Sequence, residues 1–97
     1  MMQPPLDAKT PDEEKDYGLD WTDQLDGATI STSAWTVPSG LTNEGDDIDG
    51  ATAVIRLSGG TAGQNYTLLN SVVLSNGEEL EDVIEVRVRT AESRAGL

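Results

Sequence analysis

The chain has 97 residues, enough for one domain, and carries 6 Lys and Arg against 18 Asp and Glu, a formal charge of -12. That balance argues against nucleic acid and against an anionic membrane surface, since both require a dense cationic face. There is no Cys and no His, which excludes a disulfide, a thiol nucleophile, an imidazole base and the usual soft metal sites. No apolar run approaches the ~18 residues that span a bilayer, and the N-terminus lacks a basic-then-apolar signal pattern. The composition alone therefore predicts a soluble acidic domain and points to no chemistry.

Residues 1–16 are expected to form an extended acidic arm. Pro4, Pro5 and Pro11 punctuate it, and Leu6 is its one sizeable apolar residue after the initial methionines. Thr10-Pro11-Asp12-Glu13 has the spacing of a capping box, with Pro11 at the first helical position. No apolar stripe follows, so one short turn is expected and no long helix. The segment reads either as a disordered leader or as an arm that orders against a neighbour.

Residues 17–90 have the texture of a β-sandwich. Tyr17, Leu19 and Trp21 alternate, as in a short strand or an extended anchor. The rings of Tyr17 and Trp21 suit either packing over an open end of the sandwich or burial in a partner. Asp26-Gly27 marks a turn, and residues 28–37 have strand composition. There Ile30, Thr32 and Ala34 share one face, while Trp35 and Val37 share the other. Both sets can point inward only if a bulge near Ala34 changes the parity.

Residues 41–49 read as a weak strand with an exposed acidic bend at Glu44, Asp46, Asp47 and Asp49. In residues 51–58, Ala53, Ile55 and Leu57 alternate cleanly with Val54 and Arg56. After a glycine-rich loop, Tyr66, Leu68, Asn70, Val72 and Leu74 line one face of a long strand. Asn76-Gly77 is the strongest hairpin signal, and Ile84, Val86 and Val88 mark the last strand. A two-residue loop would set apolar residues against carboxylates on one face. An odd loop bulged at Gly77 would instead pair Leu68 with Val86 and Tyr66 with Val88, leaving Glu79, Glu81, Glu85 and Arg87 in water. Residues 91–97 are expected to be a C-terminal tail.

Short strands, turns at intervals of roughly ten residues and no amphipathic helix predict an all-β fold: an Ig-like antiparallel β-sandwich with an extended N-terminal arm. Gly63-x-x-Tyr66 fits the tyrosine-corner position of such domains, where the hydroxyl bonds backbone. The acidic run ending at Gly50 fails as a calcium loop, because Gly45 and Arg56 fall at ligand positions. Gly59 to Gly63 lacks the Lys and helix of a phosphate loop. Asn65-Tyr66-Thr67 is a sequon inside an expected strand. No His is present to activate a Ser, and a paired-carboxylate hydrolase would need a cleft that so small a core can hardly build.

Lys9, Pro11, Glu13, Tyr17, Asp20, Trp21 and Leu25 stand in a K-x-P-x-E-x-x-x-Y-x-x-D-W-x-x-x-L pattern. Ala34-Trp35-Thr36-Val37-Pro38-Ser39-Gly40-Leu41 and Leu57-Ser58-Gly59-Gly60-Thr61-Ala62-Gly63-Gln64-x-Tyr66 follow it in order. Over most of residues 9–89 the chain resembles the phage fiber-tail adaptor family, small Ig-like virion proteins of tailed bacteriophages. One departure is the acidic set Glu78, Glu79, Glu81 and Asp82, where the family has a turn rich in Thr and Arg.

The resemblance implies a virion structural protein, made in the bacterial host cytoplasm, that links tail and fibre components by non-covalent docking. It implies neither enzyme activity nor a cofactor. Lys9, Pro11, Glu13, Tyr17, Leu19 and Trp21 are the expected partner-binding residues, with Tyr17 and Trp21 as anchors. Partners would be other phage structural proteins of the tail, fibre or major capsid, met in multiple copies of a symmetric assembly, with neither nucleic acid nor membrane among them. A capsid decoration (cement) protein is the alternative role, and a carbohydrate-binding or adhesin-like module a lower one. On the arm reading, removing residues 1–16 leaves a folded sandwich.

Overall fold

Alternating apolar residues fold this chain into two facing antiparallel sheets, seen in a computed structural model that describes residues 8–89. The elements are β1 (Ala8–Lys9), β2 (Lys15–Asp20), α1 (Thr22–Leu25), β3 (Ile30–Thr36), β4 (Leu41–Asp49), β5 (Thr52–Gly59), β6 (Asn65–Leu74) and β7 (Glu79–Val88). The first sheet has the order β1-β7-β6-β3 and the second the order β2-β5-β4. Among the described strands only the short β1 runs parallel to its neighbour, pairing Ala8 with Arg87 and Lys9 with Val88.

The sandwich matches the expected all-β, Ig-like class, but the structure does not confirm an extended arm. Within the segment expected to be an arm, β1 joins the first sheet, and Lys15 and Asp16 pair with Leu57 and Arg56 in the second. Residues 1–7 and the expected tail at 91–97 lie outside the described residues.

The inward rows meet in two adjoining clusters. Tyr17, Leu41, Ile55, Leu57, Leu68 and Val86 form one. Trp21, Ile30, Ala53, Val72 and Leu74 form the other. Trp35 packs against both and joins them. Each fully buried Leu, Ile or Val contributes about 1.5–3 kcal/mol from its removal from water.

Two bulges set which residues face in. In β3 the register shifts between Ile30 and Thr32, not near Ala34 as expected. Thr32 and Ala34 are therefore exposed, while Ile30, Ser33, Trp35 and Val37 turn inward. Ser33 pairs with Val72 and Trp35 with Asn70, so both inherit the inward face of β6. In β4 the shift falls between Asn43 and Gly45. What was expected as an acidic bend is the bulged middle of a nine-residue strand.

The hairpin between β6 and β7 has the expected odd loop. Gly77 N–H donates to Leu74 O at 2.9 Å, and Leu74 N–H to Glu78 O at 2.8 Å. Gly77 supplies the left-handed residue at φ 93. The loop is Ser75 to Gly77, one residue earlier than expected, and this moves the register by two. Tyr66 pairs with Val86 and Leu68 with Ile84, in place of the expected Val88 and Val86. Parity survives a shift of two, so the apolar rows share one face and Glu79, Glu81, Glu85 and Arg87 are exposed.

The tyrosine corner is present: the Tyr66 hydroxyl accepts from Thr61 N–H at 2.9 Å. Its ring lies against Gly40, where a Cβ would come within 3.0 Å of the ring at a φ of +107. Gly60 is tighter still. A Cβ there would meet Val88 at 2.7 Å, so the glycine lets the loop close over the end of the core.

Candidate docking surface

The residues expected to bind a partner begin in β1. Lys9 is 0 % exposed. Its ammonium donates to the carbonyl oxygen of Thr10 at 2.7 Å and also to that of Gly59. Lys9 thereby ties the edge of the first sheet to the last residue of β5 in the second. Burial pushes its pKa below the ordinary lysine value, and the carboxylates of Glu13 and Asp12 oppose that shift.

Pro11 and Glu13 sit in the expected turn. Glu13 Oε1 accepts from Thr10 N–H at 2.9 Å and Thr10 O from Glu13 N–H at 3.1 Å. This is half of a capping box without a helix: the chain runs straight into β2, where strand pairing captures it. Both residues are half-buried.

Tyr17, Leu19 and Trp21 point into the sandwich. Tyr17 is 7 % and Trp21 4 % exposed, and Leu19 packs on the second cluster. Trp21 Nε1 donates to Asn70 Oδ1 at 2.9 Å. Asn70 in turn donates to Ser33 Oγ at 3.0 Å and Ala34 O at 3.1 Å. One buried amide thus binds the end of β2 to β6 and β3. Asp20 opens α1, its Oδ1 accepting from Thr22 N–H at 2.9 Å. The Thr22 hydroxyl and then its amide hold the Asp20 carboxyl below the usual carboxylate range. Of the six expected contact residues, Lys9, Tyr17 and Trp21 thus spend their side chains inside the fold.

The second sheet presents a different surface outward. Pairing of β2 with β5 sets Asp16 beside Arg56, and pairing of β4 with β5 sets Asp47 beside Val54 and Asp49 beside Thr52. Arg56 grips Asp16 with two hydrogen bonds, Nε at 2.8 Å and Nη2 at 3.2 Å, and Glu14 lies 3.7 Å from its Nη1. The Arg56 hydrogen bond holds the Asp16 carboxyl low. The same partner raises Arg56. Glu44, thrown out by its bulge, accepts from Ser58 Oγ at 2.6 Å.

Asp16, Glu44, Asp46, Asp47 and Asp49 rim a shallow concavity of about 490 Å³ over Val54 and Arg56. This face offers carboxylates to a cationic surface and has Arg56 as its central cation. Among the described residues no group of His, Cys, Asp or Glu has the arrangement to hold a metal ion. Sequence reasoning saw the acids of β4 as a solvated bend and missed the pairing of Asp16 with Arg56. The alternation of Asp47 and Asp49 with Ile48 was the available signal.

The family model described as "Podophage GP4 fiber-tail adaptor protein gp77" matches residues 9–87. The fold is similar to the "Solution structure of the PKD domain from KIAA 1837 protein", with TM-score 0.50, 18 % identity, and 77 % of this chain and 72 % of that one covered. No curated protein matches the chain. Among the described residues no helix is long and apolar enough to cross a membrane.

Proposed function

The chain belongs to the podophage GP4 fiber-tail adaptor family, and on that premise we propose that it joins a tail component to a fibre component by non-covalent docking. Membership carries a structural role in the phage tail and fibre apparatus and argues against an enzyme. The mechanism is the finer step. A rigid sandwich holds two partners at a fixed spacing, using outward residues that its own core leaves unused.

The observation that carries this reading is the acidic outer face of the second sheet. Asp16, Glu44, Asp47 and Asp49 surround one short concavity, and the whole chain is at -12. Such a face steers toward a basic patch and repels copies of itself. Within residues 9–21, Lys9, Tyr17 and Trp21 act as positioning residues that fix β1 and β2. Of the six expected contact residues, Pro11, Glu13 and Leu19 keep part of their surface open, and any direct contact from those six falls to them.

Particles assembled without this chain test the reading. They should have heads and tails but lack attached fibres, and adding the purified chain should restore attachment. Fibres that remain attached in its absence would overturn it, and loss of head stability instead would favour a cement protein.

A further inference from the structure

Among the described residues several strand edges are open, and all but one are guarded. Unpaired edges invite another strand, and proteins blunt them with charge, proline, bulges or short length. β1 is two residues long. β2 carries Lys15, Asp16 and Asp20. β4 carries Glu44, Asp46, Asp47 and Asp49 and a bulge at its middle. β3 is the exception. It ends its sheet, its sequence ISTSAWT holds no charge and no proline, and its bulge lies at its start, leaving Thr32 to Thr36 in regular register with β6.

The face beside that edge is uncharged as well. β6, the neighbour of β3, reads NYTLLNSVVL, without a charged residue. Outward from these strands stand Thr32 beside Val73, and Thr36 beside Leu69, which in turn neighbours Val83 on β7. Val73 is 36 % and Val83 51 % exposed, and they are the large exposed apolar residues of the described chain. β3 and β6 thus form a neutral strip in a chain of -12, bounded on the β7 side by Glu85, Glu81 and Glu79, which stand beside Thr67, Ser71 and Val73.

We infer that β3 is a docking edge, and that an extended, uncharged segment of a partner tail or fibre chain adds to the first sheet beside it, its side chains flanking Thr32, Ala34 and Thr36. The inference rests on the adaptor reading and deepens it by assigning this partner its site. Ig-like sandwiches of the variable type continue this same sheet by further strands, so the architecture accepts one. Backbone bonds supply affinity and alternate side chains supply selection. A neutral strand fits better than a second copy, because a copy would bring another -12 to the contact. β3 spans about 23 Å at ~3.3 Å per residue. A strand of that length buries less than the ~1,600 Å² of a standard interface. The edge is therefore one part of a two-part attachment, with the acidic face on the other side.

Amide hydrogen exchange on the free chain and on assembled particles tests this without any variant. The β3 amides that do not bond β6 should exchange fast in the free chain and at least ten-fold slower in particles, while the β4 edge is not protected in step with them. Thr32→Lys with Ala34→Lys should leave thermal unfolding nearly unchanged, since both sites are exposed, yet cut incorporation into particles at least ten-fold. Unprotected β3 amides in particles that do contain the chain at the tail would overturn the inference and leave the adaptor reading standing. Absence of the chain from the tail would overturn both. Protection already present in the free chain, through its own terminal residues or through dimers seen in sedimentation, would also overturn it.

Discussion

The two sheets share one core, and the outer face of the second differs from the β3–β6 part of the first. The second sheet turns Asp16, Glu44, Asp47 and Asp49 outward around Arg56, and the β3 and β6 strands of the first turn out only neutral residues. Inward, both obey the same period of two, because both must bury a row of apolar side chains. Outward, folding places few demands, so the contrast there is open to use in recognition. The difference teaches where to look in a small sandwich: inside for stability, outside for partners.

Leu68→Ala gives the largest expected effect and tests the shared part of the comparison. Leu68 is fully buried between the sheets, and its truncation should cost about 2–5 kcal/mol in denaturant unfolding. Both faces should be lost together in one transition. Two separate transitions would break the picture of a single core.

Removing residues 1–16 comes next. An independent arm would leave stability untouched, but here β1, the Lys9 clasp and the start of β2 go with it. We expect a loss above about 2 kcal/mol, read in the same unfolding experiment.

Trp21→Phe keeps most of the packing and removes one donor, leaving Asn70 Oδ1 without its bond. An orphaned buried acceptor costs about 1–3 kcal/mol. Asn70 also holds Ser33 and Ala34, so this variant should loosen β3 more than β4 in hydrogen exchange.

Lys9 gives the comparison a pH signature. Burial lowers its pKa in the folded chain, so the unfolded chain holds that proton more tightly. Stability should therefore rise with pH between the folded Lys9 value and the ordinary lysine range, and Lys9→Met should flatten that rise. Asp16 and Asp20 act at the other end. Their folded values are lowered, by the Arg56 and Thr22 hydrogen bonds respectively. Their contribution is complete above the ordinary carboxylate range and is lost as pH falls through the folded values.

Arg56→Ala should have the smallest effect on stability, because the ion pair is exposed and screened by salt. It sharpens the contrast in another way. By removing the cation at the centre of the acidic face, it should strengthen the salt dependence of binding there and leave the neutral face unchanged.

Much of the fold was legible in the alternation. Ala53, Ile55 and Leu57, and the row from Tyr66 to Leu74, face inward as their spacing requires. The odd hairpin loop followed from keeping carboxylates out of an apolar row, but its position did not. Ser75-Asn76-Gly77 and Asn76-Gly77-Glu78 preserve the same parity, and only hydrogen bonds around Leu74 distinguish them. The bulge in β3 was hidden because Ser31 carries no mark of an extra residue, whereas Gly45, at φ 148 beside the β4 shift, was an available signal for the second.

The site was less legible than the fold. A lysine in an acidic, proline-rich stretch looks solvated, yet Lys9 is buried because Thr10 and Gly59 offer it carbonyls from two directions. The aromatic residues drew attention to residues 9–21 as a contact surface, and the core uses the same rings. The acidic and neutral faces depend on cross-strand neighbours, which no local pattern reports.

A density map of the intact particle at the tail–fibre junction tests the central claim most directly. The account predicts this sandwich between two different chains, with carboxylates of the second sheet against a basic surface and a foreign strand along β3. A sandwich seated on capsomer joints, or one at the junction with both outer faces open to solvent, would contradict it.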